Sequence, residues 1–525
     1  MTQAPQQTPP SLQMASNPTA PFGVELRDVD DLQGRPHALA GGVAQPSPFA
    51  SILARRGRPL RVAILSDFTR IGYANGAVFQ TRFLYQELRR AGHEVTVIGP
   101  RDPDAAPGDL APGTVALPSV PLASYPGLHI PLPLAPWIFD PRRWSFDVCF
   151  AQTTSLLLEL GGWLRAMKGV PLLCVNTTHL VAAFDVLLPE GIAGSGALRA
   201  GVRALQGPFE GLFSWIYNGS DGLIVLSEGL RSYWRERGVR VPIHVVPRAV
   251  VPDVFDRAIG PDPYAPLLSR AGLPARGPRL LCAGRHTREK AQDRVIRIFA
   301  RHVLPFEPDA TLVLVGDGPD REGFARVARG QGVEHRVLFT GEVPWTSMPD
   351  YYRYADLLVH ASLSETYGNV LGEALWCGTP CVAFADGMGV SSQVDDGRTG
   401  VLLSPGVGEG GGDAAFGQAV VDLLRDPARR GRLGRAAARR ARETSSPVAV
   451  LRQLARAFTS AEDHATASAL RPVEKGPRVL RWLTTLRHAR PWTTYNGLLY
   501  LSGHLRAPSA TPAARPRAIH PALGD

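Results

Sequence analysis

The stretch Leu363-Ser364-Glu365-Thr366-Tyr367-Gly368-Asn369-Val370-Leu371-Gly372-Glu373-Ala374-Leu375-Trp376-Cys377-Gly378-Thr379-Pro380 decides how this chain is read. The run Ala355-Asp356-Leu357-Leu358-Val359-His360 before it reads as a buried strand. Gly368 falls in a turn, Asn369 opens a helix, Gly378 and Pro380 end it, and Cys381-Val382-Ala383-Phe384 starts the next strand. The result is a strand–loop–helix–strand unit with a glycine at the helix mouth. Free backbone N–H groups and a partial positive charge at such a mouth suit an anion such as a diphosphate. Glu365 stands just before the mouth and Glu373 about two turns inside, so both carboxylates can face one cleft. Phosphate would repel them, which leaves hydroxyls, as on a ribose and a hexose, as their partners. On spacing alone, a capping carboxylate plus a solvated glutamate explains the pair equally well.

Working outward, the same βα rhythm continues on both sides. Arg279 to Arg285 reads as a strand, followed by His286-Thr287-Arg288-Glu289-Lys290 and a helix from Gln292. Thr311 to Pro319 is strand plus turn, Val337 to Val343 strand plus loop, and Gly397-Arg398-Thr399-Gly400 precedes another strand. Upstream, Leu60 to Asp67, an Asn75-Gly76 loop, a helix from Ala77 to Ala91 and Glu94 to Gly99 make a βαβ opening of a doubly wound sheet. That loop is not a GxGxxG, so no dinucleotide site is read there. Phe146 to Gln152, Pro171 to Asn176, Gly222 to Leu226 and Ile243 to Val250 supply further strands.

The expected organisation is a disordered tail over 1–58, an N-terminal Rossmann-like domain over 59–255, a second over 256–445, a closing helix over 446–461 and a basic, aromatic extension over 462–525. The chain has 525 residues and a net charge of +10. The extension holds nine Lys or Arg against four acids. Nothing in the chain reads as a nucleic-acid module, so that charge is not assigned to nucleic acid. Arg481, Arg487 and Arg490 interleave with Trp482, Trp492, Leu498, Leu499 and Tyr500, which fits docking onto the protein body and a membrane-surface anchor equally. Pro491 and Gly497 predict two short segments there. The five cysteines lie mostly in apolar runs and read as free thiols of a reducing cytosol. No run approaches the ~20 apolar residues of a membrane span, and no signal peptide is read at the N-terminus, so a cytoplasmic protein, or one peripheral on the inner membrane face, is expected.

The full Glu365-to-Glu373 string closely resembles the signature of family 4 retaining glycosyltransferases. Gly284-Arg285 with Glu289-Lys290, Gly316-Asp317-Gly318-Pro319 and Gly397-Arg398-Thr399-Gly400 agree with it in order. The resemblance covers about residues 60–460 and departs at Ala249, where the family has Gly. It implies two Rossmann-like domains facing a cleft, the GT-B architecture, and a hexosyltransferase using a GDP- or UDP-linked sugar. Arg285 and Lys290 would lie beside the diphosphate, with backbone at Gly368, Asn369 and Val370. Glu373 would take the ribose, Glu365 the donor sugar, and the backbone near Val343 the base. His179 and Gly76 would close the site from the first domain. No cofactor and no metal is expected, since two fixed cations would face the phosphates and no Asp-x-Asp motif is positioned to hold a metal, Asp395-Asp396 being adjacent rather than alternating. The Pro118-to-Leu122 excursion and Val246-Pro247-Arg248 look most like the lipid-directed branch, which includes phosphatidylinositol mannosyltransferases and glucosyl- or sulfoquinovosyl-diacylglycerol synthases. A soluble or polysaccharide acceptor, a nucleotide-sugar 2-epimerase and a non-catalytic nucleotide-sugar sensor are the alternatives.

Overall fold

The computed structural model describes residues 47–505 apart from 71–75, 106–108, 123–127, 134, 154, 156, 177–206, 209, 275, 409 and 469–470. The first sheet is built from β1 (Arg61–Ser66), β2 (Glu94–Pro100), β3 (Val115–Leu117), β6 (Val148–Gln152), β7 (Leu172–Asn176), β8 (Gly222–Val225) and β9 (Ile243–Val245). A hairpin of β4 (Ser119–Pro121) and β5 (His129–Pro131) stands beside it. The seven strands run in the order β3-β2-β1-β6-β7-β8-β9, all parallel. The second sheet comprises β10 (Arg279–Ala283), β11 (Thr311–Val315), β12 (Val337–Gly341), β13 (Leu357–His360), β14 (Cys381–Phe384) and β15 (Gly400–Leu403). Its order is β12-β11-β10-β13-β14-β15, again parallel throughout.

Every residue of β6, β7, β11 and β14 is buried. This is why these strands read as unbroken apolar runs: helices cover both faces of a parallel sheet. Each sheet reverses its strand order at one point, between β1 and β6 in the first and between β10 and β13 in the second. Ligands of doubly wound sheets bind outside the carboxyl ends of the strands at that point.

The helices used below are α1 (Ala50–Arg56), α2 (Gly76–Arg90), α3 (Leu158–Lys168), α4 (Glu228–Glu236), α5 (Gln292–Ile298), α6 (Met348–Tyr354), α7 (Asn369–Trp376), α8 (Gly389–Gln393), α9 (Pro427–Ser445), α10 (Pro447–Ala467) and α11 (Arg478–Leu505). Ser446 caps α10 by accepting from Ala449 N, with Pro447 in the first turn. From that start α10 returns to the first sheet, where Phe458 stacks on Phe150 at 5.9 Å. The Arg-rich stretch around 425–442 forms α9. Its Leu433, Ala437 and Ala441 are buried, while Arg430 bonds Asp356 at 2.9 Å.

Two expectations at the ends of the chain are corrected. Disorder over 1–58 fails for 47–58: α1 forms there, and Phe49 is buried against Phe458 at 5.4 Å between ring centres. Two apolar residues, Phe49 and Ile52, find places in the first core despite the polar composition around them. Residues 1–46 lie outside the described residues. The extension forms one helix of 28 residues through Pro491 rather than two segments. Contacts on both sides of the proline hold it against α3 and β5. Trp163 Nε1 donates to Thr485 Oγ1 (3.1 Å), and His488 Nδ1 lies 2.6 Å from Glu159 Oε2. Trp492 Nε1 and Asn496 Nδ2 both donate to the Pro131 carbonyl (2.9 and 2.7 Å). These bonds outweigh the lost backbone donor of Pro491. Among the described residues, no helix is long and apolar enough to cross a membrane. All five cysteines are free.

Candidate active site

The loop after β13 and the start of α7 lie at the switch point of the second sheet, beside the loop after β10. Gly368 holds φ 80° and ψ 72° at the N-cap of α7, and a Cβ there would come 2.9 Å from Leu371 Cδ1. Glycine is needed at this left-handed position. No side chain caps α7, so the amides around Asn369 and Val370 face outward as donors. Asn369 is exposed and Val370 half-buried. Gln393 holds the mouth from behind, donating through Nε2 to the carbonyls of Tyr367 and Gly368.

Glu365 is buried, and Lys290 Nζ donates to its Oε1 at 2.6 Å. His360 Nε2 lies 3.2 Å from the same oxygen. Burial opposes the charge on Glu365, but Lys290 and His360 together hold its carboxyl well below the usual carboxylate range. Glu365 is therefore a masked anion, ionised and already paired.

Lys290 ends a short 3₁₀ turn after β10. Ala291 follows with φ 53°, the one non-glycine residue with positive φ among the described residues, and α5 starts there. Such backbone cost persists only where neighbours enforce it. Here Gln292 Nε2 donates to Arg285 O (2.8 Å), and Ser362 Oγ donates to Glu289 O (3.0 Å), which ties this loop to the one after β13. Arg285, half-buried, leaves the end of β10 at the switch point. The Gly316-to-Pro319 motif cradles the same loop: a Cβ at Gly316 would lie 2.2 Å from Gly284 O.

Glu373 sits in different surroundings. Trp345 Nε1 donates to Oε1 (3.0 Å) and Tyr352 OH to Oε2 (2.8 Å). Burial pushes its carboxyl up to about 7, against the pull of those two hydrogen bonds. Val343, two residues before Trp345, is half-buried at the end of the β12 loop. Gly76 is the first residue of α2, in the first domain. His179 lies outside the described residues.

Two groups escaped the sequence reading. His360 was visible only as the last residue of a strand, although its position at a carboxyl end beside the switch point was a usable signal. Asp67, at the corresponding place after β1, is buried and accepts from Ser155 Oγ at 2.7 Å and from Thr153 Oγ1. No group of three or more His, Cys, Asp or Glu side chains placed to hold a metal ion occurs among the described residues.

Residues 75–249 match the model described as "Glycosyl transferase 4-like domain", and residues 277–426 the model "Glycosyl transferases group 1". The D-inositol 3-phosphate glycosyltransferase of Streptomyces avermitilis is 33% identical over 53% of this chain and 58% of its own length. The alpha-monoglucosyldiacylglycerol synthase of Streptococcus pneumoniae is 26% identical over 62% of this chain and 71% of its own. The chain thus spans little more than half the length of the first of these relatives. Among solved structures, Anabaena HepE in complex with UDP superposes with a TM-score of 0.60 at 18% identity, over 76% of this chain and 100% of that one. That likeness carries the GT-B fold.

Proposed function

The chain belongs to the glycosyl transferases, with a 4-like domain ahead of a group 1 domain, and on that premise we propose that it is a retaining hexosyltransferase. It moves the sugar of a GDP- or UDP-linked donor to a hydroxyl of a membrane lipid. The observation that carries the reaction is the 2.6 Å Lys290–Glu365 pair beside the uncapped mouth at Gly368. The bond from the anomeric carbon to the diphosphate breaks and a bond to the acceptor oxygen forms. The acceptor proton passes to a donor phosphate oxygen, and the nucleoside diphosphate leaves. Negative charge growing on that diphosphate meets Arg285, Lys290 and the mouth amides. Glu365, kept ionised by Lys290, accepts from a sugar hydroxyl and orients the ring. Glu373 accepts from the ribose, the backbone at Val343 meets the base, and His179 and Gly76 close the site from the first domain.

The lipid acceptor is supported by α11. Its inward side is taken up by Trp492 and Asn496, so its outward side is left over. There Val479, Trp482, Leu483, Leu486, Leu498 and Leu501 are exposed, Trp482 by 63%. Arg478, Arg481, Arg487 and Arg490 lie on the same helix, and no acid occurs between Lys475 and Asp525. Arginines draw anionic headgroups, at about 1 kcal/mol each near the surface, and Trp and Leu settle at the interface. One relative is named as a diacylglycerol-directed synthase. The enzyme would then act as a peripheral protein on the inner membrane face.

The test is cosedimentation with anionic and with zwitterionic vesicles, followed by mass spectrometry of lipid products formed with GDP- and UDP-hexoses. Binding to anionic vesicles that Trp482→Ser/Leu486→Ser abolishes, and a hexosylated lipid, are expected. Equal binding by that variant, or transfer to soluble acceptors alone, would reject the lipid reading.

A further inference from the structure

A cavity opens beside α7, where Gly372 and Leu375 form part of its wall. It has a volume of about 420 Å³, and its walls come from both domains. α4 and β9 contribute Arg231 and His244 from the first domain. α8 and α9 contribute Gln393 and Arg440 from the second, and α10, the helix that returns between them, contributes Arg456. The domains meet closely at its rim, where a Cβ on Gly229 would lie 2.0 Å from Gly387 O.

The lining is cationic and under-satisfied. Three arginines face it against one carboxylate, Glu228, which is paired to Arg231 at 2.9 Å. Arg440 reaches Asp395 only at 3.7 Å, and Arg456 makes no ion pair among the described residues. Arg231 Nε, His244 Nε2 and Gln393 Oε1 are buried without a hydrogen-bond partner among the described residues. Buried polar atoms are normally paired, so three orphans in one cavity wall mark a polar lining that the surrounding protein groups leave unsatisfied. Guanidinium groups from three helices suit a phosphate group, whose oxygens accept paired N–H bonds.

We propose that this hinge cavity binds a small phosphate-bearing anion bridging Arg231, Arg440 and Arg456. Because its walls belong to both domains and to α10, the anion favours the arrangement in which those three cations converge. The route to the donor site is short. Gln393, in the cavity wall, holds the carbonyls of Tyr367 and Gly368 at the mouth of α7. Tyr367, also in the wall, bonds Ser445 Oγ at 2.9 Å, and its hydroxyl donates to Arg248 O at 3.4 Å in the first domain. An anion at the hinge therefore stiffens the loop that presents the mouth amides. Binding itself does not depend on the glycosyltransferase reading; only its effect on catalysis does.

Inorganic phosphate and pyrophosphate are the probes, titrated calorimetrically into the full chain. The donor site must be silenced, since it too attracts phosphate, so the background is Arg285→Ala/Lys290→Ala/Glu365→Gln, with its fold checked by circular dichroism. Phosphate binding is expected to persist in that background and to weaken about tenfold or more on adding Arg440→Glu/Arg456→Glu. Arg440→Gln/Arg456→Gln serves if the charge reversal unfolds the chain. Hydrogen exchange at Tyr367–Leu371 is expected to slow when phosphate is added to the silenced chain. Loss of binding by both probes on silencing the donor site, or unchanged affinity after the arginine substitutions, would overturn the site. Unchanged exchange at the mouth would overturn the coupling. Binding of either probe in the silenced background supports the site, and binding of neither overturns it.

Discussion

Replacing Lys290 by alanine tests both the pairing and the reaction. Lys290 Nζ lies 2.6 Å from Glu365 Oε1, with the two side chains 28% and 8% exposed. Deleting the cation leaves a buried carboxylate with His360 at 3.2 Å as its near neighbour. Breaking a buried pair from one side costs about 3–5 kcal/mol. Partial exposure of Lys290 brings the expectation nearer to about 2–3 kcal/mol. That corresponds to a fall of about 5–10 °C in the unfolding of the second domain. The sign with pH follows from the shifts. In the wild type Glu365 is depressed, so the pair's stability is present above the unfolded carboxylate value of about 4.3 and is lost as pH falls towards the depressed one. In the variant only His360 still opposes burial, so Glu365 moves up from its depressed value, and the cost of losing Lys290 is present above about 4.3 and is relieved on acidification. The gap between the two proteins is thus full near neutrality and narrows in acid. Lys290→Ala/Glu365→Gln removes the stranded charge and should recover most of the stability. Turnover should remain down by two or more orders of magnitude, about 3 kcal/mol of lost charge stabilisation. Thermal unfolding at neutral and acidic pH, with initial-rate assays, reads both effects. A single variant as stable as the wild type would mean the pair does not form in solution. A double variant with near-normal turnover would remove both residues from the mechanism.

Four further outcomes are expected. Glu373, raised to about 7, must be ionised to accept from ribose hydroxyls, so donor affinity should tighten as pH rises through about 7; Glu373→Gln should flatten that profile and raise donor KM, whereas Glu365→Gln should mainly lower kcat, and the reverse pattern would exchange their roles. Gly368→Ala forces a left-handed alanine against Leu371 and should cost about 1–3 kcal/mol while weakening donor binding, as measured by denaturant unfolding and nucleotide titration; an unstrained, fully active variant would contradict the geometry of the mouth. Trp492→Ala should destabilise by about 3–5 kcal/mol because the side chain is fully buried, whereas Trp482→Ser on the outward side of the same helix should leave the melting temperature unchanged; similar losses in both would mean α11 is not docked as described. If Arg285 and Lys290 face the diphosphate as proposed, activity should survive excess chelator, and loss restored by Mg²⁺ or Mn²⁺ would assign part of their work to a metal.

Much of the site was legible as residues and little of it as contacts. Glu365, Gly368 and Glu373 announce themselves by spacing around a helix mouth, because backbone polarity and helix periodicity are local. The partner of Glu365 is 75 residues earlier in the chain and reaches it because β10 and β13 are neighbours in the sheet. Glu373 looked like the twin of Glu365, yet Trp345 and Tyr352 place it in an apolar niche and give it the opposite titration. Pro491 read as a break, and the bonds of Trp492 and Asn496 to Pro131 carried the helix through it.

By itself the sequence determined the two parallel sheets and the glycine-bearing helix mouth. A strand buried on both faces must be written in unbroken apolar residues, and a left-handed helix mouth must be written with glycine. Only the tertiary structure decided which charges meet, which carboxylate is pushed up by burial, that the extension forms a single helix with an apolar side left outward, and that arginines from two domains converge on one hinge cavity. Those outcomes depend on contacts between segments far apart in the chain, and on the desolvation that such contacts impose, which no local pattern encodes.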